Sequence, residues 1–109
     1  MATTYKVLGQ SAPSAATLTT LYTVPGATSA VVSTVTACNQ SATATAIRIA
    51  VRPAGAGIAS SHYVAYDLPI GGNETITWTL GMTLATTDVL SVYATLATVS
   101  FNLFGVELT

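Results

Sequence analysis

The one histidine of this chain, His62, follows two serines in the segment Ser60-Ser61-His62-Tyr63. A hydrolase needs a nucleophile, a base and a group that orients the base. Because neighbouring residues of a strand point to opposite faces, serines beside a histidine in sequence do not form a triad with it. No nucleophile motif surrounds these residues. The segment therefore favours a half-exposed histidine at the end of a strand, and we do not expect an enzyme.

The carboxylates are dispersed along the chain, at Asp67, Glu74, Asp88 and Glu107. A glycosidase would need two carboxyl groups about 5 to 9.5 Å apart, and turn positions account more simply for Glu74 and Asp88. One histidine, one cysteine and these acids show no metal-ligand spacing. The glycine-containing loop at residues 53–57 lacks the Lys-Ser/Thr ending of a phosphate loop. We therefore predict no catalytic residue, no metal site and no cofactor.

Aromatic residues could instead bind a sugar, because sugar sites often place an exposed aromatic ring beside polar groups. Trp78 lies on the apolar side of its segment, so we expect it in the core. Tyr63 and Tyr66 are three positions apart, and this odd spacing predicts that they cannot share a strand face and that one ring is exposed. A receptor-binding module that recognises host-surface glycans through such a tyrosine is the alternative function.

Charged residues are scarce: they make up 6% of the chain, whose net charge is −1. An ordinary soluble domain carries about 25%. The three basic residues Lys6, Arg48 and Arg52 form no cluster that could neutralise several phosphates, so we do not expect a nucleic-acid partner. A weakly charged surface gives little repulsion between copies. The composition therefore favours a protein whose surface is covered by partners, in a homo-oligomer or a larger assembly.

The cysteine content and the N-terminal segment indicate where the protein is made. Cys38 is the one cysteine, so it has no internal disulfide partner, and its apolar surroundings predict a small buried side chain. Residues 1–10 lack the basic and apolar regions of a signal peptide, and no segment reaches the roughly 20 apolar residues of a membrane span. We expect a protein made in a host cytoplasm, without membrane contact. Virion proteins combine this origin with the Thr/Ala/Ser-rich composition of a surface protein.

Alternation of apolar and polar residues dominates the chain. Residues 47–52 (Ile-Arg-Ile-Ala-Val-Arg) place both arginines on one side, and residues 75–80 repeat the pattern with outward threonines. This period of two predicts half-buried strands. We expect eight strands, near residues 4–10, 18–24, 30–39, 46–52, 62–68, 75–80, 89–95 and 99–107. Short strands at this spacing predict one domain over residues 1–109, an all-β, antiparallel, jelly-roll-like sandwich.

The last predicted strand carries apolar residues on both faces. Val99, Phe101 and Leu103 share one face, whereas Phe104, Val106 and Leu108 share the other. A bulge could switch the register, or both faces could be buried, and we favour a strand that lies between the core and a neighbouring subunit. Few charges protect the sheet edges, which suggests edge pairing between copies. The expected assembly contacts are Tyr5, Lys6, Pro53, Gly55, Gly57, Phe104, Val106 and Leu108.

Several segments resemble a group of short phage proteins. The "YTVP" strand end at residues 22–25 is followed by a turn, an apolar strand and the closing Asn39. The segments "VRPAG" at 51–55, "HYVAYDLPI" at 62–70, "TLATTDVLSVYA" at 83–94 and "FNLFGVEL" at 101–108 extend the resemblance over nearly the whole chain. These motifs mark turns and strands, so no functional residue is carried over from the family.

The resemblance implies a structural component of a tailed-phage virion. A decoration or cement protein that clamps neighbouring capsid subunits is the favoured role, and a tail, collar or baseplate component is close to it. The partners would be other virion proteins, such as the major capsid or tail proteins. The sequence leaves open the location on the particle, the symmetry and the copy number.

Overall fold

The computed structural model describes residues 2–109, so Met1 of the predicted domain lies outside the described residues. Within this range the chain forms nine strands and, between β4 and β5, the short 3-10 turns Pro53–Gly55 and Ser60–His62. The strands are β1 (Thr3–Ser11), β2 (Thr19–Thr23), β3 (Ser29–Asn39), β4 (Thr45–Arg52), β5 (Tyr63–Ile70), β6 (Thr75–Trp78), β7 (Met82–Leu84), β8 (Val89–Ala94) and β9 (Val99–Leu108).

Two antiparallel sheets form a sandwich. Sheet A has the order β1-β9-β3-β6, with β7 also paired to β3, and sheet B has the order β2-β8-β4-β5. Apart from the β4–β5 and β6–β7 connections, each connection along the chain crosses from one sheet to the other. If β6 and β7 are counted as one interrupted strand, the eight remaining positions have the order of a jelly roll. The predicted jelly-roll-like β-sandwich is therefore confirmed.

The ninth strand is β7, which lies beyond the strand predicted at 75–80; that strand ends earlier, at Trp78. Val35 pairs with Trp78 and Val32 pairs with Met82, so four steps along β6–β7 match three steps along β3. The additional residue forms a bulge, and Gly81 lies there with a φ of +61°. The segment Met82–Leu84 is three residues long and gave no recognisable alternation, so β7 was not predicted.

The core lies between the sheets and is filled by the inward residues of both. The largest fully buried side chains include Phe101 and Leu103 of β9, and Ile47 and Ile49 of β4. Trp78, which we expected in the core, is half-buried and packs against it. The described side chains leave no buried polar atom without a hydrogen-bond partner. Pro69 lies in β5, an edge strand, where the missing N–H removes no bond from the sheet interior.

The alternation of β9 continues without a switch along the whole strand. The register shifts lie in its neighbours, between Val7 and Gly9 of β1 and between Val32 and Thr34 of β3. These bulges leave Phe104, Val106 and Leu108 on the outer face of sheet A. The sequence suggested a bulge within this strand as one explanation of its two apolar faces, and that explanation is wrong.

Candidate functional sites on the two outer sheet faces

The outer face of sheet A carries an apolar half, which we define by Tyr5, Val7, Val31, Phe104, Val106 and Leu108. Directly opposite residues of an antiparallel pair share a face. Tyr5 is opposite Val106, Val7 is opposite Phe104, and Val31 is opposite Val106. Tyr5 is 83% exposed and Val7 is 46% exposed. These neighbouring side chains therefore form one continuous apolar surface that solvent reaches.

The other half of this face is polar but uncharged. It consists of Gln10, Thr36, Cys38, Thr75, Thr77, Ser100 and Asn102. Gln10 Nε2 donates a hydrogen bond of 2.7 Å to Asn102 Oδ1. Cys38 lies between Thr75 and Ser100 on this outer face and is half-buried, so the prediction of a buried core cysteine is wrong. Among the described residues, the outer face of sheet A has no lysine, arginine, aspartate or glutamate.

The charged residues of β1 and β9 point to the inner side of sheet A. Lys6 is opposite Gly105, and Lys6 Nζ lies 3.3 Å from Glu107 Oε1. The hydroxyl of Tyr22 in sheet B donates a hydrogen bond of 2.6 Å to Glu107 Oε2. This hydrogen bond, helped by Lys6, lowers the pKa of Glu107 from its usual value although burial opposes the shift. Burial and Glu107 raise the pKa of Tyr22. The two opposite charges are thus paired away from the outer face.

Four of the predicted assembly contacts lie together in the apolar half: Tyr5, Phe104, Val106 and Leu108. Lys6 lies on the opposite side of β1. Val7 and Val31 belong to the apolar half, but sequence reasoning did not select them. Their membership depends on the register of β1 and β3 against β9, which alternation within one strand does not reveal.

The other predicted contacts, Pro53, Gly55 and Gly57, belong to a loop on sheet B, on the opposite side of the molecule. The Ala54 N–H donates to Asp88 Oδ1 at 2.9 Å, and Arg52 Nη1 donates to the carbonyl of Ala56 at 3.1 Å. These bonds hold the loop over the outer face of β8. Val89, whose side chain lies next to Gly55, is consequently buried.

A row of stacked side chains crosses the outer face of sheet B. The guanidinium carbon of Arg48 lies 4.1 Å from the ring centre of Tyr66 and 4.4 Å from that of Tyr93. Asp67 Oδ1 accepts a hydrogen bond of 2.7 Å from Arg48 Nε, which raises the pKa of Arg48. The cation therefore holds two tyrosine rings in place and is itself paired with a carboxylate.

Tyr63 continues this row. The ring centres of Tyr63 and Tyr66 are 4.8 Å apart, with an edge-to-face angle of 83°. Their odd spacing predicted opposite faces, and this prediction is wrong because the pairing of β4 with β5 shifts register twice. Asp67 adopts a φ of +51° beside Tyr66, which is part of the same irregularity. The bulged strand β5 therefore brings both tyrosines to one face.

An open cleft of about 500 Å³ lies beside these two tyrosines. Its lining consists of Ile58, Ala59, Ser60, Tyr63 and Tyr66. His62 shapes the wall, because its Nδ1 accepts a hydrogen bond of 3.1 Å from the Ala59 N–H. This bond closes the turn that carries Ser60.

Within residues 2–109, no group of three His, Cys, Asp or Glu side chains is arranged to hold a metal ion. None of the helical segments in that range has the length and apolar character required to cross a bilayer. The chain thus offers two features for function, the uncharged outer face of sheet A and the aromatic cleft of sheet B. Comparison with protein-family models, curated proteins and solved structures finds no match for this chain.

Proposed function

We propose that this chain is a structural protein of a phage particle, a capsid decoration or cement protein that acts as a homo-oligomer. The observation that carries the proposal is the uncharged, partly apolar outer face of sheet A. The occupant of this face is a second copy of the chain. The phage location is supported by the sequence resemblance described above, and a tail, collar or baseplate position is the second placement.

The size of the outer face of sheet A suits a stable interface. Four strands, each about 4.8 Å wide, and the ten residues of β9, each about 3.4 Å long, give about 19 Å by about 34 Å, or about 650 Å² before side-chain relief is counted. A standard interface buries about 800 Å² on each partner. Burial of Tyr5 and Val7 would supply the apolar contribution.

The chemistry of the face favours a second copy as the occupant. In a two-fold dimer the same patch meets itself, so a charge near the two-fold axis would face its own copy. The outer face of sheet A avoids this repulsion because Lys6 and Glu107 lie on the inner side. The amides of Gln10 and Asn102 offer both donors and acceptors and can therefore pair with a copy of themselves.

Self-association can be tested with a matched pair of variants. Val7 on the outer face of sheet A and Val64 on β5 have nearly equal exposure, 46% and 45%. We expect the wild-type protein to be a dimer or larger in sedimentation velocity, Val7→Lys to be monomeric, and Val64→Lys to behave as the wild type. A monomeric wild type at high concentration, or equal loss of association in both variants, would contradict the proposal.

The role on the particle needs a separate experiment. Particles made without the protein should adsorb to the host normally but lose infectivity at a lower temperature, because the clamp between shell subunits is missing. Adding purified protein should restore heat resistance, and adding Val7→Lys should not. Unchanged heat resistance of the deletion particles would exclude the cement role, and reduced adsorption would favour a tail module.

A further inference from the structure

We propose that the cleft between the loop at residues 58–60 and β5 binds an uncharged sugar ring, which stacks on Tyr66. Nothing in this inference depends on the assembly proposed above, because the cleft and the outer face of sheet A lie on opposite sides of the sandwich. The proposal rests on Tyr66, an exposed aromatic ring that lines this cleft and is held in place by Arg48.

Tyr66 is exposed but already held in place by its neighbours. Its ring is 58% exposed, although Arg48 and Tyr63 contact it. An exposed ring ordinarily loses rotamer freedom when a ligand orders it, which weakens binding. The stacking of Arg48 between Tyr66 and Tyr93 has already ordered this ring, so a ligand would bind a preformed surface.

Two charged groups near the cleft, Arg48 and Asp67, are paired with each other. Arg48 already occupies a cation–π position on Tyr66, so a second cation would meet a like charge there. The ion pair with Asp67 neutralises Arg48, so this cation offers little attraction to an anion. The five residues of the lining are themselves uncharged. The cleft therefore favours a neutral ligand.

The cleft combines apolar surface with hydrogen-bonding groups. Ile58, Ala59 and the tyrosine rings provide apolar surface, whereas Ser60 and the tyrosine hydroxyls provide hydrogen-bonding groups. A pyranose ring has the matching chemistry, because its C–H groups form an apolar face and its hydroxyls project at the rim. The cleft volume of about 500 Å³ lies in the range of small-molecule sites, about 300–1,000 Å³.

The test uses the full chain and a defined set of probes. Saturation-transfer NMR is recorded with methyl glycosides of glucose, galactose, mannose and N-acetylglucosamine, and with N-acetylneuraminic acid and choline as an anionic and a cationic probe. We expect saturation of ring C–H protons for at least one neutral glycoside and none for the two charged probes. No saturation for any neutral glycoside, or a preference for a charged probe, would overturn the proposal.

Two variants establish where the sugar binds. Tyr66→Ala should weaken the bound glycoside by at least about tenfold, as expected for loss of an aromatic contact surface. Tyr5→Ala, which removes an exposed tyrosine from sheet A, should leave the affinity unchanged. Tyr66→Phe keeps the ring and should retain most of the binding, which separates loss of stacking from misfolding. Equal weakening by Tyr5→Ala, or full affinity in Tyr66→Ala, would show that the sugar does not bind in this cleft.

Discussion

The hydroxyl of Tyr22 donates a 2.6 Å hydrogen bond to Glu107 Oε2 and thereby ties sheet B to sheet A. Tyr22 is buried in β2, and Glu107 occupies an inward position of β9, two residues after Gly105. Lys6 completes the arrangement from β1. Because this cluster faces inward, it removes two charges from the outer face of sheet A and places them where they stabilise the fold.

Tyr22→Phe should destabilise the protein by about 1–3 kcal/mol at neutral pH, because it removes a hydrogen bond to a carboxylate. The Glu107 pKa is lowered in the folded state, so its contribution is present above the usual carboxyl pKa and is lost as the pH falls through the folded value. The difference between variant and wild type should therefore shrink in acid. Urea unfolding at a series of pH values measures it.

The control for this hydroxyl is Tyr5→Phe, since Tyr5 is exposed on the outer face of sheet A. Its free energy of unfolding should match the wild type within about 0.5 kcal/mol. A loss in Tyr22→Phe that is independent of pH would show that the hydroxyl does not act through Glu107.

Asn39→Ala should destabilise the fold by at least about 3 kcal/mol. The Asn39 side chain is fully buried and makes four hydrogen bonds that join three loops. Its Nδ2 donates to the carbonyls of Thr43 at 2.8 Å and Gly71 at 3.1 Å. Its Oδ1 accepts from the Ser41 N–H at 3.2 Å and from Thr98 Oγ1 at 2.9 Å. Thermal unfolding followed by circular dichroism measures the loss.

The matched control is Asn102→Ala, which removes a half-buried amide that bonds to Gln10. We expect a change below about 1 kcal/mol. Similar losses in the two asparagine variants would contradict the role assigned to the buried network.

Gly105→Ala should cost about 2–3 kcal/mol or more, because the added methyl has no space. A Cβ at this position would lie 2.2 Å from the carbonyl oxygen of Val31 and 3.0 Å from Leu8 Cδ1. Gly57→Ala is the control, since a Cβ there meets nothing within 4 Å. Chemical unfolding of both variants provides the comparison, and equal stability would show that β3 and β9 can separate without cost.

Association through the outer face of sheet A should not weaken when NaCl rises from about 0.05 M to about 0.5 M, because screening acts only on charges. Sulfate should strengthen it, since excluded salts favour apolar burial. Lys6→Ala should leave the association unchanged because Lys6 lies on the inner side. Sedimentation velocity across the salt series measures these effects, and dissociation by NaCl would show that charged contacts hold the oligomer.

Local patterns were sufficient for the fold class and for most strands. The alternation in residues 47–52 identified β4, with Ile47 and Ile49 inward and Arg48 and Arg52 outward, because side-chain direction along a strand has a period of two. The scarcity of charge was likewise evident from composition alone. Short segments such as β7 escaped prediction because three residues carry too little periodicity.

The two candidate sites depended on how strands pair, which the sequence by itself did not determine. Bulges in β1 and β3 align Val7 and Val31 with the apolar residues of β9, and the shifted β4–β5 register brings Tyr63 against Tyr66. A shift of one residue changes which side chains meet across strands. The alternation within either strand barely changes, so the sequence pattern does not reveal the shift. The sequence therefore determined a weakly charged all-β domain. The tertiary structure decided that apolar residues of β1, β3 and β9 share one outer face and that Tyr63 and Tyr66 line one cleft.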